Sequence, residues 1–377
     1  MIKIAIIGAS YLQLPLVEKA KSLGYETHCF AWERDDSICK KTADFFYPIS
    51  ILEKELITQK CKQIQIDAIL SIASDVAVPT ISYVASKIGL IANSEESALI
   101  STNKYLMRSR FQEAGLNSLQ YILIENIKEL DKLIHLKFPL IVKPIDRSGS
   151  RGVTISNDKN ELLQNIQTAI EESFDGKAIV EEFIDGNEYS VESISVKGKH
   201  TILAITEKIT TGPPYFVELE HHQPAELESE VIQEINSVVQ IGLDALGIKF
   251  GAAHTELKVN EKGIFLIEIG ARMGGDFIGS HLVQLSTGYD FLKNTLNVAL
   301  GKEIDSFVKK QEKTAGIYFL SKNTRHLLPY FSEDYDGSIK FVEKNIRTLN
   351  LEELYDSSNR CGYLIYQGDA KLVLNEG

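Results

Sequence analysis

The chain is short of cysteine, of positive charge and of long apolar runs, and each shortage excludes something. Its four cysteines, Cys29, Cys39, Cys61 and Cys361, contain no CxxC pair. Reduced structural thiols in a reducing compartment are therefore expected, rather than zinc or disulfide sites. Lys and Arg number 40 against 52 Asp and Glu, a formal net charge of −12. Counterion release on nucleic acid or an anionic membrane needs clustered cations, so neither is an expected partner. A local cationic pocket for phosphate stays open. No uncharged stretch reaches membrane-spanning length, and residues 1–8 are apolar for too few positions to be a signal peptide. They read as a first strand, and the protein as cytoplasmic. After that strand Gly8-Ala9-Ser10 does not continue into GxGxxG, so a Rossmann oxidoreductase loses its best signal.

What is present divides the chain by texture. Residues 2–8 have a buried-strand pattern, and Leu16, Val17, Ala20 and Leu23 follow at helical spacing until Gly24. Residues 27–32 and 67–72 read as further strands, and Ser74-Asp75 as the cap of a helix running through 84–88. Strand, helix, strand order implies a parallel sheet with crossover helices, an α/β domain over about 1–92. From Asn103 the pattern changes to a helix at 104–114, an isolated strand at 138–143 and a loop rich in Gly, Ser and Arg. Strands at 178–184, 189–196 and 202–209, a helix at 229–246 and strands at 251–259 and 263–269 indicate an α+β body. Residues 301–377 carry short strand patterns at 315–320 and 363–366.

Two constellations carry chemistry. Lys143 closes an apolar strand, where a cation is costly unless it meets an anion, and Ser148-Gly149-Ser150-Arg151-Gly152 follows. Glycines let backbone N–H groups approach phosphate oxygens, although a surface turn with a snorkelling lysine reads equally well from this segment alone. Farther on, Glu181-Glu182-Phe183-Ile184 runs from a strand into a turn, offering backbone groups to the edge of adenine, and Glu188 can accept from ribose hydroxyls. The second constellation is Glu256 and Glu268 on neighbouring strands. A three-residue turn over 261–263, with Gly263 left-handed, sets them directly opposite each other; a two- or four-residue turn separates them. Opposed carboxylates repel unless a cation lies between, and Mg²⁺ suits one or two carboxylates plus phosphate oxygens. Solvated glutamates are the plainer alternative. Gly270-Ala271-Arg272-Met273-Gly274-Gly275-Asp276 follows at once, and Arg272 can neutralise phosphoryl charge, clamp a substrate carboxylate or simply pair with a neighbouring acid.

In this order the motifs resemble the ATP-grasp superfamily across nearly the whole chain. The resemblance implies an N-terminal Rossmann-like domain (1–92), an ATP-grasp domain (93–300, lid subdomain about 105–185) and a C-terminal subdomain (301–377). It implies that Lys104 and Lys143 contact ATP phosphates beneath the 148–152 loop and that residues 181–184 form the adenine hinge. Glu188 then holds the ribose, and Glu256 and Glu268 bind Mg²⁺, with Mn²⁺ as a substitute. Many members carry Asn where this chain has Gly270, which puts a third metal contact in doubt. Within the superfamily, Ala271-Arg272-Met273-Gly274-Gly275, the segment Thr211-Gly212-Pro213-Pro214-Tyr215-Phe216-Val217-Glu218 and His221 are similar to the L-amino-acid (dipeptide) ligases among carboxylate–amine ligases. That likeness assigns Arg272, Glu218 and His221 to the substrate site and puts Asp276 where acceptor size is limited. A polar loop histidine is the equal alternative for His221. The implied partners are a small carboxylate and a small amine, and the implied assembly is a homodimer. The rivals are a purine-pathway or biotin-carboxylase-like enzyme and a non-catalytic nucleotide-binding protein.

Overall fold

Strands β1 (Lys3–Ile7), β2 (Glu26–Phe30), β3 (Phe45–Tyr47) and β4 (Ala68–Leu70) form a parallel sheet in the order β3-β2-β1-β4. The computed structural model describes residues 1–374 apart from 35, 128, 130–132, 134 and 333–338. The near-continuous apolar run of β1 is what a strand buried on both faces requires. Its core also takes in Val283, Phe291 and Leu296, which tie it to the body of the protein. Ser74 and Asp75 do not cap the next helix by side-chain hydrogen bonds. That helix, Val78–Ile88, starts later with a proline in its first turn, and Asp75 is occupied elsewhere.

A second sheet is antiparallel. It contains β5 (Tyr121–Ile124), β6 (Leu140–Pro144), β7 (Thr154–Ser156) and β8 (Ala178–Glu182) in the order β5-β8-β6-β7. The strand that looked isolated in the sequence, β6, thus has neighbours on both sides. The helix Lys159–Glu172, capped by Asp158, lays Leu162, Ile166 and Ala169 on this sheet.

The largest sheet is also antiparallel. Its strands are β9 (Asn187–Val196), β10 (Lys199–Thr210), β11 (Glu218–Gln223), β12 (Phe250–Asn260), β13 (Gly263–Gly270), β14 (Thr314–Leu320), β15 (Lys340–Ile346) and β16 (Gly362–Gly368). Their order is β13-β12-β9-β10-β11-β14-β16-β15, so strands from residues 314–368 extend the same sheet. One face, with Val191, Ala253, Leu257, Leu266 and Ile269, packs against the helices Ser229–Ala245 and Lys104–Glu113. On the opposite face Ile194, Leu203 and Ala252 join the core of the first domain, while Glu188, Lys208, His254 and Glu256 line a cavity. Among the described residues no helix is long and apolar enough to cross a membrane. All four cysteines are free and buried.

Candidate active site

Glu256 and Glu268 are directly opposed across β12 and β13, but not by the expected turn. Asn260 pairs with Gly263, so only Glu261 and Lys262 lie between the strands, and Gly263 takes φ +118°. In unbroken register that two-residue turn would set Glu256 against Ile267. A bulge at Ile267 adds one residue to β13 and shifts the pairing to Glu268. The sequence holds the trace of this bulge. Core positions in β13 run Ile264, Leu266 and then Ile269, a change of phase that a regular strand cannot make.

Both carboxylates line a cavity of about 310 Å³. Its other walls bring together Lys104, Lys143, Ser148, Gly149, Ser150, Arg151, Glu188, Glu218, His221 and Arg272, all singled out in the sequence. Lys104 is the first residue of a helix capped by Asn103, a place where a cation is unfavourable without an anion; its Nζ lies 3.1 Å from Glu268. Gly152 and residues 181–184 do not line the cavity. The Glu181 side chain instead turns inward, 2.5 Å from Arg108 and 2.7 Å from Lys143. Burial pushes this carboxyl up, but Arg108 and Lys143 outweigh it and hold it at about 2. Phe183 stands near Phe216, with the Lys258 ammonium over its ring.

Several charged residues of the cavity escaped the sequence reading. Lys208 is the central one, with Nζ 2.6 Å from Glu256, 2.9 Å from Glu188 and 3.6 Å from Glu218. Cross-strand pairing puts it between Glu188 on β9 and His221 on β11. Burial pushes the Glu256 carboxyl up, but Lys208 and His254 outweigh it and leave it well below the usual carboxylate range. The cue that singled out Lys143, a lysine inside an apolar strand, was equally available for Lys208. His254 Nδ1 lies 2.5 Å from the fully buried Glu192, which also accepts the Gly274 N–H at 3.1 Å. Burial alone would lower the His254 pKa, but Glu192 outweighs it and raises it to about 9.

At the far end, Arg360 donates to Asp276 at 2.8 Å and to Glu218 at 2.7 Å. His221 lies on β11 rather than in a loop, is fully buried, and has Nε2 3.4 Å from Asp276. Burial lowers its pKa against the pull of Asp276. Arg272 pairs with Asp75, Nε to Oδ1 at 2.9 Å and Nη2 to Oδ2 at 2.8 Å. This pair also accounts for Gly270. A Cβ there would sit 2.7 Å from Asp75 Oδ1 and 3.1 Å from Arg272 Cζ, so any side chain would displace the pair. The third metal contact that the resemblance implies has no counterpart in residue 270. Among the described residues no cluster of three or more His, Cys, Asp or Glu side chains could hold a metal by itself.

Residues 136–280 match the family model of the ATP-grasp domain. The alanine–anticapsin ligase of Bacillus subtilis is 27% identical over 319 residues, covering 74% of this chain and 66% of that one. The chain spans between about half and two thirds of the length of the curated relatives it matches. The crystal structure of an L-amino acid ligase from Bacillus licheniformis superposes with a TM-score of 0.82 at 23% identity, covering 98% of this chain and 94% of that one. A phosphoribosylglycinamide synthetase from Anaerococcus prevotii superposes with a TM-score of 0.77 at 21% identity, covering 98% and 94%. At these identities both likenesses are of fold.

The buried Glu181 gives a test of the lysine end of the cavity. Its folded pKa of about 2 lies below the ordinary 4.5, so its stabilisation is complete above pH 4.5 and is lost as pH falls toward 2. Denaturant unfolding of wild type and Glu181→Gln across this range is expected to show a stability difference that is constant above pH 4.5. Below it the difference is expected to shrink by about 3 kcal/mol. A difference independent of pH would mean that Glu181 is not held ionised by Arg108 and Lys143.

Proposed function

Because the chain belongs to the ATP-grasp superfamily, we propose that it is an ADP-forming carboxylate–amine ligase that joins small substrates, amino acids foremost, through an acyl phosphate. The carrying observation is the opposition of charge across one cavity. Glu256 and Glu268 line it from the large sheet, Lys143 and the 148–151 loop line it from the second sheet, and Lys104 sits beside Glu268. The terminal phosphates of ATP would lie between them. Glu188 is the proposed ribose acceptor, and the backbone of residues 181–184 the proposed adenine edge.

The donor set fits Mg²⁺, or Mn²⁺ in its place. Lys208 and Lys104 each sit against one of the two glutamates, and anionic carboxylates are the ligands such an ion takes beside phosphate oxygens and water. Glu256 and Glu268 would hold the ion, which when bound supplies positive charge to the phosphates. The residues of the chain do the rest. A carboxylate is a poor nucleophile toward an anionic phosphoryl group, so Lys104, Lys143 and Arg272 must offset the repulsion. The substrate carboxylate oxygen attacks the γ-phosphorus and ADP leaves. A neutral amine then attacks the acyl carbon, phosphate leaves, and the amine gives up a proton. Glu218 and His221 are the proposed neighbours of the amine, and the lowered His221 pKa suits a neutral imidazole that accepts that proton. Closure of the loop over residues 146–152 would keep water from the acyl phosphate. The name of the relative alanine–anticapsin ligase supports an amino acid as a substrate. Buried thiols and net negative charge fit a cytoplasmic enzyme.

The test is a phosphate-release screen over pairs of amino acids and small carboxylates, with mass spectrometry of the products. ADP formation that requires both a carboxylate and an amine is expected. Lys143→Ala and Glu268→Ala are each expected to reduce it below detection while the proteins remain folded. Wild-type rates in either variant would refute the site. A strict requirement for bicarbonate would move the enzyme to the purine or biotin-carboxylase type, and tight ATP binding without turnover to a non-catalytic role.

A further inference from the structure

Asp75 belongs to the parallel sheet's half of the molecule, and Arg272 to the loop that leaves the large sheet, 197 residues away. Their planar groups meet through two near-parallel hydrogen bonds, the geometry that fixes a guanidinium in direction as well as in place. Both side chains are largely buried, Asp75 at 11% and Arg272 at 14% exposure, and both line the cavity. The third guanidinium nitrogen, Nη1, reaches the Met273 carbonyl at 3.3 Å. Clearance for the carboxylate exists because residue 270 lacks a side chain, as any Cβ there would run into it. The backbone beyond is anchored independently, by Gly274 N–H on Glu192 and by Asp276 on Arg360. The loop is thus held in place without Asp75, and Asp75 is left to direct one side chain.

We propose that Asp75 is a positioning residue: it reaches from the turn after β4 to aim the Arg272 guanidinium at the reacting end of the cavity, and Gly270 is the clearance that permits it. This rests on the ligase reading for the identity of the reacting groups, but not for the requirement itself. A guanidinium free to rotate would pay its ordering cost during phosphoryl transfer, and a displacement of about 1 Å at such a group can cost on the order of 10²-fold in rate. The pair is one of several contacts between the first domain and this loop, beside the Ala73 N–H on the Met273 carbonyl at 3.1 Å, and it is the one made by the Arg272 side chain.

The experiment uses the full chain with Asp75→Asn, which keeps shape but removes charge, and Gly270→Ala, which keeps both charges but displaces the carboxylate. Thermal unfolding first establishes that each variant is folded. In carboxylate- and amine-dependent phosphate release, both variants are expected to lose about 10²-fold in kcat. Their KM for ATP is expected to stay within about twofold, a split that general loosening of the fold would not produce. A calorimetric arm does not need the ligase reading. Orthovanadate, a mimic of a phosphoryl group in transfer, is added to the ADP complex with Mg²⁺. Wild type is expected to bind it at least about tenfold more tightly than either variant, with ADP affinity alone unchanged. If wild type shows no carboxylate- and amine-dependent turnover but the vanadate difference persists, the ligase reading fails and the positioning role stands. Equal vanadate affinity in wild type and Asp75→Asn, or no vanadate binding by wild type, overturns the proposal.

Discussion

One extra residue in one strand governs the site. Without the bulge at Ile267, the two-residue turn after β12 would put an apolar side chain opposite Glu256 and leave Glu268 out of register. With it, two carboxylates share one wall while Ile264, Leu266 and Ile269 all remain in the core behind. A bulge re-aims a side chain at the cost of a break in the ladder. Here the break falls where the sheet becomes the wall of the cavity.

The second constraint is charge balance. Buried ions are tolerated only when paired, and the cavity pairs them across elements that are distant in sequence. Lys208 neutralises glutamates from β9, β11 and β12 at once. Arg360 spans Glu218 and Asp276, Arg272 takes Asp75, and Glu181 takes Arg108 and Lys143. These pairs, in and around the cavity, link the second and third sheets, the turn after β4 and the C-terminal segment. An anionic ligand entering here meets Lys104, Lys143, Lys208 and Arg272 already partnered, so its binding must compete with or rearrange those pairs. That favours ligands that arrive with a divalent cation of their own.

The legible part of the site was the part made by local sequence. Lys143 and the glycine loop, Glu188, Glu256 with Glu268, and Arg272 could each be read from a strand ending or a turn. The order of these pieces carried the family resemblance. The reason given for the Glu256–Glu268 pairing was mistaken, since turn length alone was considered and the phase change in β13 was not. Strand β11 went unread because Glu218-Leu219-Glu220-His221-His222-Gln223 has too few apolar residues to look like a strand. Its burial comes from tertiary pairing with β10 and β14. Asp75 and Arg360 carry no local cue at all. Their partners lie 197, 142 and 84 residues away, a separation that pattern along the chain cannot bridge. The expected cap at Ser74-Asp75 failed for the same reason, because a buried guanidinium outcompeted the helix end.

The central claim is that Glu256 and Glu268 together hold a divalent ion against the terminal phosphates of ATP. The most direct measurement is the ³¹P spectrum of protein-bound ATP on addition of Mn²⁺, whose unpaired electrons broaden nearby phosphorus lines. The β- and γ-phosphorus lines should broaden in wild type and stay sharp in a Glu256→Gln, Glu268→Gln double variant that still binds ATP. Equal broadening in the two proteins, or sharp lines in wild type with nucleotide and Mn²⁺ both present, would contradict the account.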